Sequence, residues 1–149
     1  MAKESSNGLV ETLEDLFKKA PAIPANGREA IVNITPWIAL IFGIIGALAL
    51  LTLLGVASVF APFAMYGGYA GVGGYGSALI GGWISFAASI LLLAAFPGTK
   101  ARKLSGWNLL FWSELLRIVG SIVAGSIVGG IIGGLIGLYL IFQIKSYYK

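Results

Sequence analysis

The sequence predicts an all-α integral membrane protein, a small bundle of four transmembrane helices preceded by a cytoplasmic amphipathic helix. Three observations carry that expectation. Of the 149 residues, 58% are hydrophobic and only 11% charged, against about 25% charged in soluble domains, and the mean hydropathy is +0.91. Apolar stretches long enough for a crossing of ~20 residues recur along the chain. Near its end, Gly125, Gly129, Gly133 and Gly137 follow one another at four-residue spacing, with Gly130 and Gly134 alongside. On a helix this spacing makes one face a groove where another backbone can approach closely, a glycine zipper. In water each interior glycine costs about 1 kcal/mol relative to alanine; in a bilayer, where backbone groups cannot stay unpaired, helix is enforced.

Composition also limits the chemistry. Cysteine and histidine are both absent, which removes disulfides, thiol nucleophiles, imidazole bases and the usual transition-metal ligands. The sequence has no phosphate-binding or dinucleotide motif and no metal motif. No cofactor and no enzymatic activity are expected. The net charge of +4 is unevenly placed. Residues 1–30 carry Lys3, Lys18, Lys19 and Arg28 against Glu4, Glu11, Glu14, Asp15 and Glu29, a net of −1; the remainder carries Lys100, Arg102, Lys103, Arg117, Lys145 and Lys149 against Glu114, a net of +5. The excess flanks apolar runs, which marks membrane orientation and not a nucleic-acid groove.

Residues 1–35 read as a cytoplasmic amphipathic helix and linker, and residues 36–149 as the transmembrane domain. The opening stretch lacks the basic-then-apolar layout of a secretory signal and is expected to stay on the protein. From about Gly8 to Lys19, Leu9, Leu13, Leu16 and Ala20, joined by Val10 and Phe17, recur with helical spacing opposite a charged face,. Because that face leans acidic, attraction to anionic lipid should be weak. Pro21 to Ala25 form a break, Asn26 is the expected cap of a short helix through Ile34, and Thr35-Pro36-Trp37 reads as cap, first turn and headgroup-level aromatic of the first span,.

That span is expected over about residues 37–60, ending at Pro62, with Ala39, Gly43 and Ala47 keeping one face small. Met65 to Ser77, rich in tyrosine and glycine, reads as an external loop. An alternative places Gly73, Ser77, Gly81, Ser85 and Ser89 in one helical row and Ala70, Gly74, Ala78 and Gly82 in another, so that the second span starts early,. Its secure part is residues 78–96, closed by Pro97 and Gly98, with Gly81 and Gly82 as packing positions. Lys100, Arg102 and Lys103, unaccompanied by acids, put the next loop in the cytoplasm,.

Trp107 to Ile144 would be about 57 Å long as one helix, too long for a ~30 Å core. One solution is two spans, residues 107–124 and 131–146, turning near Gly125 to Gly130. The other is an interfacial helix to Arg117 followed by a single span. Lysines at the end of the chain, together with Trp107 and Trp112 at a cytoplasmic start, favour the hairpin and both termini in the cytoplasm. Glu114 and Arg117 then lie three apart on one intramembrane face, where they can pair and where ionisable groups are functional candidates,. Asn108, Ser113, Ser121, Ser126, Ser85, Ser89 and Thr52 are available for bonds between helices.

Abundant packing surface and scarce chemistry point to a structural or assembly protein. Gly129, Gly133, Gly134, Gly137, Gly81 and Gly82 are its candidate packing residues. Its expected partners are the lipid bilayer and another copy or another membrane protein. The alternative is an oligomeric pore, a holin-like protein or a small transporter using Glu114 and Arg117. The expected location is a bacterial cytoplasmic membrane.

Overall fold

The computed structural model describes residues 2–149, with the side chains of residues 2–7, 69 and 70 outside the description. Five helices follow in order: α1 (Ala2–Lys18), α2 (Ala25–Tyr66), α3 (Gly68–Lys100), α4 (Leu104–Val123) and α5 (Ile127–Ile144), closed by a 3-10 turn, Lys145–Tyr147. There is no strand among the described residues. Helix α2, Gly71–Lys100 of α3, and Ile127–Tyr147 are long and apolar enough to cross a membrane. Helix α4, interrupted by Asn108, Glu114, Arg117 and three serines, is not among them.

The break expected at Pro21 to Ala25 is present at residues 21–24, but helix α2 corrects the expected separate short helix through Ile34, because it continues without interruption through Thr35-Pro36-Trp37. It runs unbroken for 42 residues, about 63 Å,. Asn26 is not its cap; Pro24 precedes it, without a side-chain cap. Pro36 and Pro62 lie inside it, and Pro97 lies inside α3. A proline removes one helical donor, yet helices in lipid tolerate it where hydroxyls and neighbouring helices support the backbone. Here a hydroxyl near each proline donates to a carbonyl of its own helix: Thr35 to Ile31 at 2.7 Å, Ser58 to Gly55 at 2.8 Å and Thr99 to Ala95 at 2.9 Å.

The tyrosine- and glycine-rich stretch is helix, not loop. The chain reverses at Gly67 and Gly68, the latter at φ +60°, a conformation natural to glycine,. Tyr75 then donates to the Ala57 carbonyl at 3.2 Å, tying the two arms of the hairpin. Helix is thus the outcome at Gly73, Gly74 and Gly76, despite their low helix propensity,.

The second correction concerns the glycine run. Helices α4 and α5 form a hairpin whose turn is Ala124 to Ser126, with Gly125 at φ +88°. Gly129 and Gly130 belong to α5 and not to the turn, and the single long span is excluded.

The four long helices run alternately up and down, α2 against α3, α3 against α4 and α4 against α5. The seam between α3 and α4 is built from small residues at seven-residue spacing. Gly81, Ala88 and Ala95 on α3 are buried, and so are Gly106, Ser113 and Gly120 on α4. A Cβ at Gly81 would lie 2.6 Å from the Gly120 carbonyl, and one at Gly98 would lie 2.7 Å from the Gly106 Cα. A seven-residue period is the packing repeat of left-handed helix pairs. On α2, Pro36, Gly43, Leu50 and Ala57 repeat the period and are buried.

The aromatic core sits at the end of the bundle where α1 docks. Trp107 and Phe111 stack at 5.7 Å, Phe142 meets both edge-on, and Trp107 Nε1 donates to the Ile141 carbonyl at 2.8 Å. Trp107 is 1% exposed, so it fills the core instead of marking a headgroup level. The basic loop is pinned there: Lys149 donates its amide to Arg102 at 3.0 Å, and Leu104 donates to Lys149 at 2.8 Å.

Helix α1 rests on the end of α5. Phe17 stacks on Phe142 at 5.4 Å, while Tyr139 donates to the Pro21 carbonyl just beyond α1. Val10 and Leu13 pack with Phe17, whereas Leu9 and Leu16, assigned by spacing to the same face, are exposed. Glu14 is ion-paired with Lys145 and Lys18. The Lys145 ammonium, assisted by Lys18 and opposed by partial burial, holds the Glu14 carboxyl below the usual carboxylate range. A carboxyl with a depressed folded-state pKa stabilises docking above its unfolded pKa of about 4.3 and loses that contribution as pH falls through its lower folded value. Limited proteolysis between Lys18 and Pro21 should therefore be slow at neutral pH and accelerate severalfold below about pH 4. An acid-independent cleavage rate would rule out a role for this pair in docking.

Candidate intramembrane site

Spacing on α4 places Glu114 and Arg117 one turn apart, and the structure joins them. Arg117 Nε donates to Glu114 Oε2 at 3.0 Å, while Nη2 donates to Oε1, a two-point pair,. The Glu114 side chain is 12% exposed and that of Arg117 is 46% exposed. The seat of this pair is α5. A Cβ at Gly137 would lie 2.6 Å from the Glu114 Cδ, and one at Gly133, a turn earlier, 3.8 Å from Arg117 Nη2. These two glycines leave room for an ion pair where the four-residue spacing suggested room for a helix.

The other named glycines divide by partner. Gly134 is buried against Ile118, and a Cβ at Gly130 would lie 2.8 Å from Ser121 Cβ, so these two form the α4 to α5 contact. Gly81 meets Gly120 on α4, and Gly82 meets Leu53 on α2. Gly129 is exposed, and a Cβ there would meet only Ser126 Oγ of its own helix start, at 3.0 Å. Sequence reasoning missed Gly46, Gly98, Gly106 and Gly120. A Cβ at Gly46 would collide with Ser89, and one at Gly106 with the Gly98 and Thr99 backbone. The seven-residue period was the signal that pointed to several of these contacts.

Beside the pair lies a cleft of about 510 Å³ lined from α2, α3, α4 and α5. Helices α2 and α5 meet only sparsely, so the cleft is walled least between them. Phe42, Ile45, Leu140 and Ile141 give it apolar walls; Thr35, Ser85, Ser89, Ser113 and the ion pair supply its polar groups. Ser89 donates to Ser85 at 2.9 Å and Ser113 to Leu110 at 2.7 Å, each on its own helix. Thr52 likewise donates to Leu48 at 3.2 Å. These hydroxyls therefore do not bridge helices, and toward the cleft Ser89 and Ser113 offer lone pairs. Arg117 keeps three of its five N–H groups beyond the two given to Glu114,. Such a cleft can accept the polar end of a small amphiphile. Among the described residues, no group of His, Cys, Asp or Glu could hold a metal ion.

The chain matches no protein-family model, no curated protein and no solved structure.

Proposed function

We propose that this is a four-span membrane protein of assembly type, with α2 to α5 as its spans, both termini in the cytoplasm of a bacterial cell, and a second copy as its partner. The observation that carries this reading is an apolar overhang. Gly81 of α3 is level with Gly120 and Ala124 at the end of α4. The preceding part of α3 and the facing part of α2 thus run about 10 residues, or ~15 Å, past the α4 to α5 hairpin,. Val59, Phe60, Phe63, Met65 and Val72 are all more than half exposed there. A Cβ at Gly73, Gly74 or Gly76 would meet nothing within 4 Å, unlike one at the glycines closed down inside the bundle. Small residues beside large apolar ones suit close approach by another membrane helix.

Placing α4 among the spans rests on its small-residue seam with α3 and on positive charge: Lys100, Arg102, Lys103, Lys145 and Lys149 then share one side. Gly73→Leu combined with Gly76→Leu is expected to convert the assembled protein into folded monomer, read by mass photometry in lipid nanodiscs. An unchanged oligomer, or a wild-type protein that is already monomeric, would remove the basis for this reading.

A second reading, favoured by the cleft, is solute passage beside Glu114 and Arg117. Its test is flux from liposomes.

A further inference from the structure

A second pocket, of about 440 Å³, lies at the opposite end of the bundle from the overhang. Lys18 of α1, Arg28 of α2, and Lys145 and Tyr148 at the end of the chain line it, together with Glu14 and Phe142. Three cations and one carboxylate line the pocket, and Asp15 just outside it also pairs with Lys18, so one positive charge is left in excess. The carboxylate is already engaged, because Glu14 is paired with both Lys145 and Lys18. Lys145 also lies 5.1 Å from the Trp107 ring. Arg28 is different: it lines the pocket and forms no ion pair with the described residues.

A guanidinium that reaches a pocket without a carboxylate partner keeps its donors for an incoming anion. Guanidinium groups match the two-point geometry of phosphate oxygens, and ammonium groups add charge around them. The pocket's size is within the range of about 300–1,000 Å³ usual for small-molecule sites. It also sits beside the basic loop, at the polar boundary of the long apolar helices, where basic pockets between helices take anionic headgroups.

We infer that this pocket is a receptor for a phosphoryl group, with Arg28 as its anchor and Lys18 and Lys145 flanking it. Two sources offer this chemistry, an anionic phospholipid headgroup and a soluble phosphoryl compound, and both are tested on the full chain. One arm reconstitutes the protein in phosphatidylcholine with and without phosphatidylglycerol and counts retained anionic lipid by native mass spectrometry. The other titrates inorganic phosphate in phosphatidylcholine nanodiscs by calorimetry.

Retention of phosphatidylglycerol alone assigns the site to lipid, whereas phosphate binding extends it to soluble ligands; either supports the inference. Arg28→Gln is expected to weaken binding about tenfold or more. Lys18→Gln, on the exposed rim, should weaken it severalfold, and Lys19→Gln, outside the pocket, should leave it unchanged. Should Arg28→Gln fail to fold, the Lys18→Gln result decides. Absence of binding by both probes, or full affinity in a folded Arg28→Gln or in Lys18→Gln, overturns the inference.

Discussion

Gly106→Leu is expected to open the tightest seam of the bundle and to lower its stability by about 3 kcal/mol or more, the upper range for overpacked cores. The atoms in the way are the backbone carbon of Gly98 and the backbone nitrogen of Thr99. Neither is the end of a flexible side chain, so the new group is accommodated only by moving α3 away from α4. That movement uncovers Ala95 and Leu110, which pack together, and loosens Trp107 beside them. On the scale of a protein this size the unfolding midpoint should fall by roughly 6–12 °C, followed by near-ultraviolet circular dichroism of the stacked Trp107 and Phe111. A midpoint within about 2 °C of the parent would show that the helices yield freely there and that the seam is not what holds them.

The second large effect concerns the ion pair. Arg117→Met leaves the Glu114 carboxylate enclosed against Gly137 without its partner. Breaking an enclosed pair from one side costs about 3–5 kcal/mol, and the lower end applies here because Arg117 is about half exposed,. Replacing both residues with methionine should restore most of the loss, since no unpaired charge remains and the volume is kept. Equal destabilisation in the single and double variants would mean that the pair's contribution is packing and not charge. The double variant, once folded, also separates the two functional readings: solute passage beside the pair predicts that liposome flux disappears, and assembly through the overhang predicts an unaltered oligomer.

Much of this architecture was legible in the residues. Low charge and long apolar runs announce helices of membrane-spanning length, and the length of the last apolar stretch requires a break, which the hairpin reading puts near Gly125 to Gly130 and the structure puts at Ala124 to Ser126. Glu114 and Arg117 are three apart and face one another across a turn, as helical geometry dictates. What remained hidden depends on neighbours. Pro36, Pro62 and Pro97 suggested helix ends because local propensity treats proline as a terminator, but helices packed alongside carry the chain through. The residues after Gly68 suggested a loop because glycine is a poor helix former in water. Four-residue glycine spacing drew attention to α5, whereas the closest approaches are at Gly81, Gly98, Gly106 and Gly120, in a seam of seven-residue period. Period four describes one helix face, while period seven describes two helices that stay in contact.

The unequal lengths of the helices give the molecule a property that none of its sites has. Helix α2 is about 63 Å long, while the apolar helix Ile127–Tyr147 is about 32 Å,. A typical hydrocarbon layer of ~30 Å fits the shorter element and leaves the longer one protruding. Because α2 packs against α3, it cannot tilt alone to hide the difference. Lipids on its side must stretch, while those beside α5 need not. Each ångström of such mismatch costs a fraction of a kcal/mol, and over ~15 Å these fractions add up to a preference that depends on bilayer thickness. The helices long and apolar enough to cross a membrane thus differ in height within one bundle, and on the proposed four-span reading a thicker bilayer is the better match to the taller side.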